Sequence, residues 1–376
     1  MTTDLTHTRS GLGPATATPD LLSSVGWADP DNRSMTTVLL DHGYAAMDSR
    51  DDDVVVLPLA QALLEYPWVQ DLMFSLIDPD EDEVLRRAFE STREPLGTFT
   101  WVKEGAHVDK PTQTFSVMTV PQERQFVHDI TVIGAGATVD EVSGSAVAPE
   151  LTHGSHVSVS ETFVGAGATV RSVDVDRWGK EMNINTYSRT KMDKDSTMSS
   201  VSVAVSGVHK SVDDSHVELA EGAKYTSHMV VFAPTGTERV MNSTATLGAA
   251  GAQAEMVSRM VSDGGVIRNS STLVGGSADV RGFLECDGLL LGENGAIESV
   301  PALDAKVARA QLSHEASVGM IDDEKIDYLT ALGLDEDAAR DLIVQGFLNL
   351  DDDRIPVSVR ARVENLVSAA REAENF

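Results

Sequence analysis

Apolar residues recur at three- and four-residue steps through residues 59–91, and from about Thr98 onward the step changes to two. In the first stretch Leu59 and Leu63 lie one helical turn apart and Leu64 widens the apolar face. Beyond Pro67, Val69, Leu72, Met73 and Leu76 repeat that spacing, so the pattern predicts two short helices separated by the proline. DPDEDEVLRRAFES places acidic residues ahead of Val84, Leu85 and Phe89, which predicts a third helix with its acids at the N-terminal end of the dipole. Residues 1–35, with Gly, Pro, Ser and Asn spread through them, predict a loose start.

The period-two region repeats itself. VIGAGATV at residues 132–139 returns as FVGAGATV at residues 163–170, 31 positions later, with looser copies at Lys103 (KEGAHV), Ala220 (AEGAKY), Ala249 (AAGAQA) and Gly292 (GENGAIES). A Gly-Ala corner between short strands suits a solenoid. Glycine adopts backbone angles closed to other residues, and alanine fits where turns stack closely. Each turn alone would leave an apolar face in water, and stacking buries it. Propeller blades and scattered hairpins are the competing arrangements. Near Pro301 the pattern breaks. Asp322 and Asp323 precede a helix carrying Ile326, Leu329 and Leu332, which Gly333 stops. Asp335 caps a second with Ala339, Leu342, Ile343, Gly346, Phe347 and Leu350 on one face, and Val363, Leu366, Val367 and Ala370 line a last one after Pro356.

Composition narrows the function. Aromatics are 5% of the 376 residues, so Val, Ala, Leu and Ile must build the interior. With 59 acidic against 29 basic residues the formal net charge is -30. Such self-repulsion is relieved in concentrated salt, where screening lengths fall to a few ångströms, and we expect adaptation to a salty cytoplasm. No Lys/Arg stripe exists to neutralise phosphates, which disfavours nucleic acid as a partner. The single cysteine, Cys286, excludes an internal disulfide, no apolar run is long enough to span a bilayer, and residues 1–19 carry no signal pattern. A cytoplasmic protein without a membrane partner is expected.

Candidate chemistry is sparse. VIGAGATV lacks the full dinucleotide fingerprint and no Walker A loop is present, so the chain is expected to bind no nucleotide itself. His153, His156, His209, His216 and His228 would bind a metal only if solenoid stacking gathered them. Asp174, Asp176, Asp193 and Asp195 supply the carboxylates that a carbohydrate-active solenoid enzyme would need. Cys286, in RGFLECDGLLLG, reads either as a buried small hydrophobe or as a thiolate able to carry sulfur and ligate iron. His314 and Glu315, in QLSHEASVG, are adjacent and in a strand would face opposite ways.

Residues 282–348 resemble the C-terminal part of the SufB/SufD family of iron–sulfur cluster assembly scaffolds. The CDGLL segment at Cys286, SHEAS around His314 and Glu315, and the IDDEKIDYL and DEDAARDLIVQGF helices carry the likeness. EYPWVQDLMFSLIDPDEDEVLRRAFES and GTFTWVKEGAHVDKPTQ are similar to the family's entrance into its core, and the 29-position separation of Cys286 and Glu315 matches the SufB pattern. The resemblance implies a right-handed parallel β-helix flanked by helical segments. It divides the chain into a flexible segment (1–35), a mainly helical α/β region (36–95), the β-helix (96–318) and a C-terminal helical domain (319–376). It further implies a non-enzymatic scaffold that dimerises, as a homodimer or a SufB–SufD pair, receives sulfur from a donor protein, and docks a SufC-like ATPase. On that resemblance Cys286, Glu315 and His314 would hold a transient iron–sulfur cluster, and the helical face of Asp335, Leu342, Ile343 and Phe347 is expected to meet the ATPase. The cysteine and glutamate point to a compact SufB-like member. A SufD-like partner subunit supporting iron acquisition is the alternative.

Overall fold

A computed structural model describes residues 19–348, apart from 121–123 and 152. From Thr98 to Met320 the chain winds through eight turns of a parallel β-solenoid, two strands to a turn. The first four turns are Thr98–Val102 with Thr112–Met118, Gln125–Ile133 with Thr138–Val147, His153–Val164 with Thr169–Arg177, and Glu181–Met192 with Thr197–Ala204. The last four are Lys210–Leu219 with Lys224–Pro234, Glu238–Leu247 with Gln253–Asp263, Val266–Gly275 with Arg281–Leu290, and Ala296–Ala305 with Gln311–Met320. First strands stack into a nine-stranded sheet and second strands into a ten-stranded one. Among the expected arrangements the solenoid is the one that forms.

The repeated corner has two distinct glycine requirements. At Gly134 a Cβ would lie 2.4 Å from the Glu104 backbone nitrogen, so only a hydrogen fits between turns. At Gly136 space is open but φ is 68°, in the left-handed region. Asp195 and Asp279 occupy that same bend with φ of 57° and 60°, which explains how the repeat loses its glycine without losing its corner. The bend's amide then donates to the next turn, as Gly136 N–H does to the Ala166 carbonyl at 2.8 Å and Asp195 N–H to that of Glu221 at 2.8 Å. Ala137, Ala168, Ala223 and Ala252 stack fully buried beside it.

The N-terminal third differs from expectation. Residues expected to be loose include a helix, α1, at Pro19–Ser23, and Met35–Leu40 is a strand that pairs in parallel with Thr112–Met118. Gly43–Ser49 extends that sheet antiparallel, and Val54–Pro58 does the same for the other sheet. Helices α2 (Leu59–Glu65) and α4 (Glu83–Ser91) form where the pattern placed them. The second expected helix is a single turn, α3 (Pro67–Gln70); Phe74, at φ 58°, is out of the helical region. Glu161 instead fixes that segment, accepting bonds from the Phe74 and Leu76 amides at 2.7 Å each and from His128 at 2.8 Å. Leu64, expected on the apolar face, is 83% exposed; Leu59 and Ala62 are the buried pair, because α2 packs flat on Phe99 and Ile130.

Two C-terminal helices, α5 (Asp323–Ala331) and α6 (Glu336–Leu348), fold back onto the outer face of the ten-stranded sheet. Ile326, Ala339, Val344 and Leu348 bury against it, and Ile343 and Phe347 pack beside them. The helix expected over Val363–Ala370 lies outside the described residues. No helix among the described residues is long and apolar enough to cross a membrane.

Candidate functional site

Between the sheets the solenoid is not uniformly apolar. Alternation turns Val173 and Val175 outward to the helices, and Ser172, Asp174 and Asp176 inward. With Thr100, Thr114, Ser143, Ser200 and Ser202 they line an internal cavity of about 420 Å³. Asp174 accepts from Ser143 at 2.6 Å and Asp213 from Thr186 at 2.6 Å. Burial pushes Asp129 up to about 6 and Glu141 up to about 7, the latter helped by nearby Asp140. It raises Asp174 and Asp213 too, and Asp176 most, with Asp174 adding repulsion. Arg239, buried among them, binds the Ser206 carbonyl at 2.5 Å and Ser211 at 3.3 Å, while its Nε has no partner. The carboxylates Asp174 and Asp176 are therefore enclosed, and Asp195 is a corner residue. They do not form an open carbohydrate-binding face.

Towards the C-terminal end the interior becomes apolar, and there sits Cys286, 1% exposed. It packs with Val231, Ala233, Met241, Met260 and Ile267. Its polar side is formed by Asn269, Ser271 and Ser299: the Asn269 amide donates to Cys286 Sγ at 3.4 Å and to Ser299 Oγ at 3.4 Å, while Ser271 donates to the Asn269 carbonyl oxygen at 3.3 Å. Burial pushes the thiol pKa up, against the lowering effect of Ser299, Ser271 and Asn269. In register Cys286 sits beside Ala316 and Leu284 beside His314, so Cys286 and His314 share the inner face of the ten-stranded sheet. Glu285 pairs with Glu315, which places Glu315 on the outer face. Within one chain Cys286 and His314 are brought to one side, and Glu315 to the other.

The last turn is open. Strands Ala296–Ala305 and Gln311–Met320 are sheet edges among the described residues, and His314, Glu315, Val300, Val318 and Met320 are exposed on them. Cys286 lies one turn beneath that surface. Beside it on the outer face, Arg259 pairs with both Glu285 and Asp287 and sits 5.9 Å from the Phe347 ring centroid. The strand carrying the thiol is thus tied to α6. Of the expected partner face, Asp335 caps α6 by accepting from Ala338 at 2.7 Å, Ile343 and Phe347 pack inward, and Leu342 remains exposed with Tyr328, Leu332 and Leu334. Periodicity alone could not tell which apolar residues of the two helices would be covered.

The histidines do not gather. His156 bonds Gln125 at 2.7 Å, with burial pulling its pKa down to about 4, and His216 lies 3.7 Å from Asp214. Among the described residues no three of His, Cys, Asp and Glu are grouped to hold a metal ion. Asn269 and the lumen residues Asp129, Glu141 and Asp213 escaped the sequence reading, and Asp174 and Asp176 were read as carboxylates of an open face. Their one visible signal is polar residues at alternate positions of strands whose other face is apolar.

Comparison with known proteins agrees with this geometry. A family model described as the SufBD core domain of the SUF iron–sulfur cluster assembly system matches residues 116–347. An iron-sulfur cluster assembly SufBD family protein of Archaeoglobus fulgidus is 29% identical over 344 residues, covering 91% of this chain and 92% of that one. A protein of the same description from Methanothermobacter thermautotrophicus is 28% identical, covering 90% and 84%, and one from Pyrococcus horikoshii is 23% identical, covering 84% and 71%. A parallel solenoid with its sole cysteine beneath an open last turn, and a family match across most of that solenoid, lead to one conclusion: the chain belongs to the SufBD family of iron–sulfur cluster assembly proteins.

Proposed function

We propose that the protein is a non-enzymatic scaffold subunit on which an iron–sulfur cluster is assembled at the open end of the solenoid, in a SufB-like role. The observation that carries this reading is the position of Cys286, one turn below an unpaired, exposed rung and on the same inner face as His314. Thiolate sulfur accepts sulfur transfer and ligates iron, and imidazole nitrogen or carboxylate oxygen supplements it. One thiolate cannot hold a cluster. A second copy pairing through the last turn would supply a second Cys286, and would bring each Glu315 to the rim of the joint. The exposed edges Ala296–Ala305 and Gln311–Met320 favour such pairing, by ordinary strand addition. Tyr328, Leu332, Leu334 and Leu342 are the apolar surface on which a SufC-like ATPase would dock.

Anaerobic reconstitution with iron, a sulfur donor protein and the cognate ATPase tests the proposal, reading iron and sulfide per dimer. Folded Cys286→Ala should lose cluster content, and Glu315→Ala should lose part or all of it. Normal content in both would reject the site. A cluster that forms only with a partner scaffold and without Cys286 would instead assign the SufD-like role.

A further inference from the structure

A column of hydroxyls runs up the inside of the solenoid and ends at the cysteine. On six successive strands of the nine-stranded sheet, Asp129, Ser160, Ser188, Ser215, Ser243 and Ser271 stand in register. Ser160 Oγ donates to Ser188 Oγ at 3.0 Å, and Ser215 Oγ to Ser243 Oγ at 3.2 Å. At the far end Ser271 holds the carbonyl of Asn269, whose amide touches Cys286 Sγ. Ser271 is also one of the three groups that favour the thiolate. Pro301 closes the column on the next strand. Neighbouring inward columns do not reach so far. Met241 interrupts the one through Thr186 and Asp213, and Val217 the one through Thr162 and Thr190. On the opposite sheet, Met229 blocks the column that leads through Asp174 and Ser202 towards Cys286.

We propose that this column is a proton wire, which carries the Cys286 proton away to Asp129 when the thiol becomes a ligand. The inference rests on Cys286 as the assembly thiol and adds the route its proton takes. A thiol must shed its proton to ligate iron, and the apolar side of its surroundings, Val231, Met241 and Met260, offers no acceptor. A serine hydroxyl both donates and accepts, so a row of them passes a proton as each turns from one neighbour to the next. In-register residues are about 4.8 Å apart. All of the column but Ser271 lines the cavity of about 420 Å³, where water can bridge the wider steps. Asp129 suits the receiving end. Its carboxyl accepts from the Thr98 amide at 2.6 Å, and with a pKa pushed up to about 6 it is still ionised at neutral pH. On ligation the Cys286 S–H bond breaks, the electron pair left on sulfur forms the bond to iron, and the Asp129 carboxylate gains an O–H bond. No electron moves along the wire. Iron binding draws the proton from a thiol that burial holds protonated.

With a single cysteine in the chain, the S–H infrared band belongs to Cys286 alone. Its conversion to S–D after the full chain is moved into heavy water times the wire. Valine and threonine match in shape and differ in the hydroxyl, so both are placed at Ser243. Ser243→Thr should exchange at the wild-type rate, and Ser243→Val at least about tenfold more slowly. Ser200→Val, on a column that Met256 interrupts, should exchange as wild type does. Backbone amide exchange in strand Arg281–Leu290 is followed in parallel and should be the same in every variant, which separates the wire from local opening. The proposal is overturned if Ser243→Val exchanges as fast as Ser243→Thr, if its slowing follows the amides, or if the wild-type thiol exchanges no faster than those amides. The measurement uses neither iron nor a sulfur donor. Its failure therefore leaves cluster assembly on Cys286 standing, whereas failure of the scaffold reading shows in the Cys286→Ala reconstitution.

Discussion

Glu141 and Asp129 line the cavity between the sheets, where burial penalises their charged forms. Their folded pKa values are raised, so the folded state holds protons that the unfolded state has released between about pH 4 and 7. The stability they contribute is full below that window and is lost as pH rises through it. Glu141→Gln should flatten this decline and stabilise the protein at pH 8 by roughly 2 kcal/mol, measured by urea unfolding across pH. An unchanged slope would mean that Glu141 is solvated through the lumen. The chemistry of residues was only half legible in the sequence. Gly134 and Gly136 announced their corner, because close approach and positive φ admit few alternatives. Asp174 and Asp176 stood out only as carboxylates that a carbohydrate-active enzyme would need, since an inward carboxylate and a surface one are the same letter.

At the scale of elements, α6 serves two surfaces at once. Phe347 and Ile343 hold it on the sheet, and Leu342 faces solvent beside Tyr328 and Leu332 of the α5 end. Phe347→Ala should cost about 2 kcal/mol and lower the melting temperature, because it uncovers sheet and removes the ring beside Arg259. Leu342→Asp should leave melting unchanged and weaken co-purification with a SufC-like ATPase. Equal capture of both variants would move the docking surface elsewhere. Helix periodicity predicted both helices, since spacing of three and four survives whichever side is covered. Strand Met35–Leu40 was missed: MTTVLL is buried on both faces, has no alternation, and gains its place only from a partner 77 positions away. The single-turn α3 failed for the opposite reason, because Glu161, 85 and 87 positions distant, captures the amides that would have continued it.

For the whole molecule, the formal charge of -30 sits on a long solenoid whose ion pairs are mostly exposed and individually weak. Raising KCl from low to molar concentration should increase the unfolding free energy as like charges are screened. A flat or falling dependence would reject adaptation to salt. The two ends of the solenoid also differ. At the N-terminal end, Gly43–Ser49 and Val54–Pro58 run against the solenoid strands, the first carries a register break opposite Val38 and Leu39, and Asp48 and Arg50 put charge there. Such an edge is a poor template. Among the described residues only the eighth turn offers long unpaired strands, so under the proposed pairing two copies joined there would meet face to face and leave no second such end. Growth would then stop at two, and a fold whose stacked architecture resembles a fibre would be kept from becoming one.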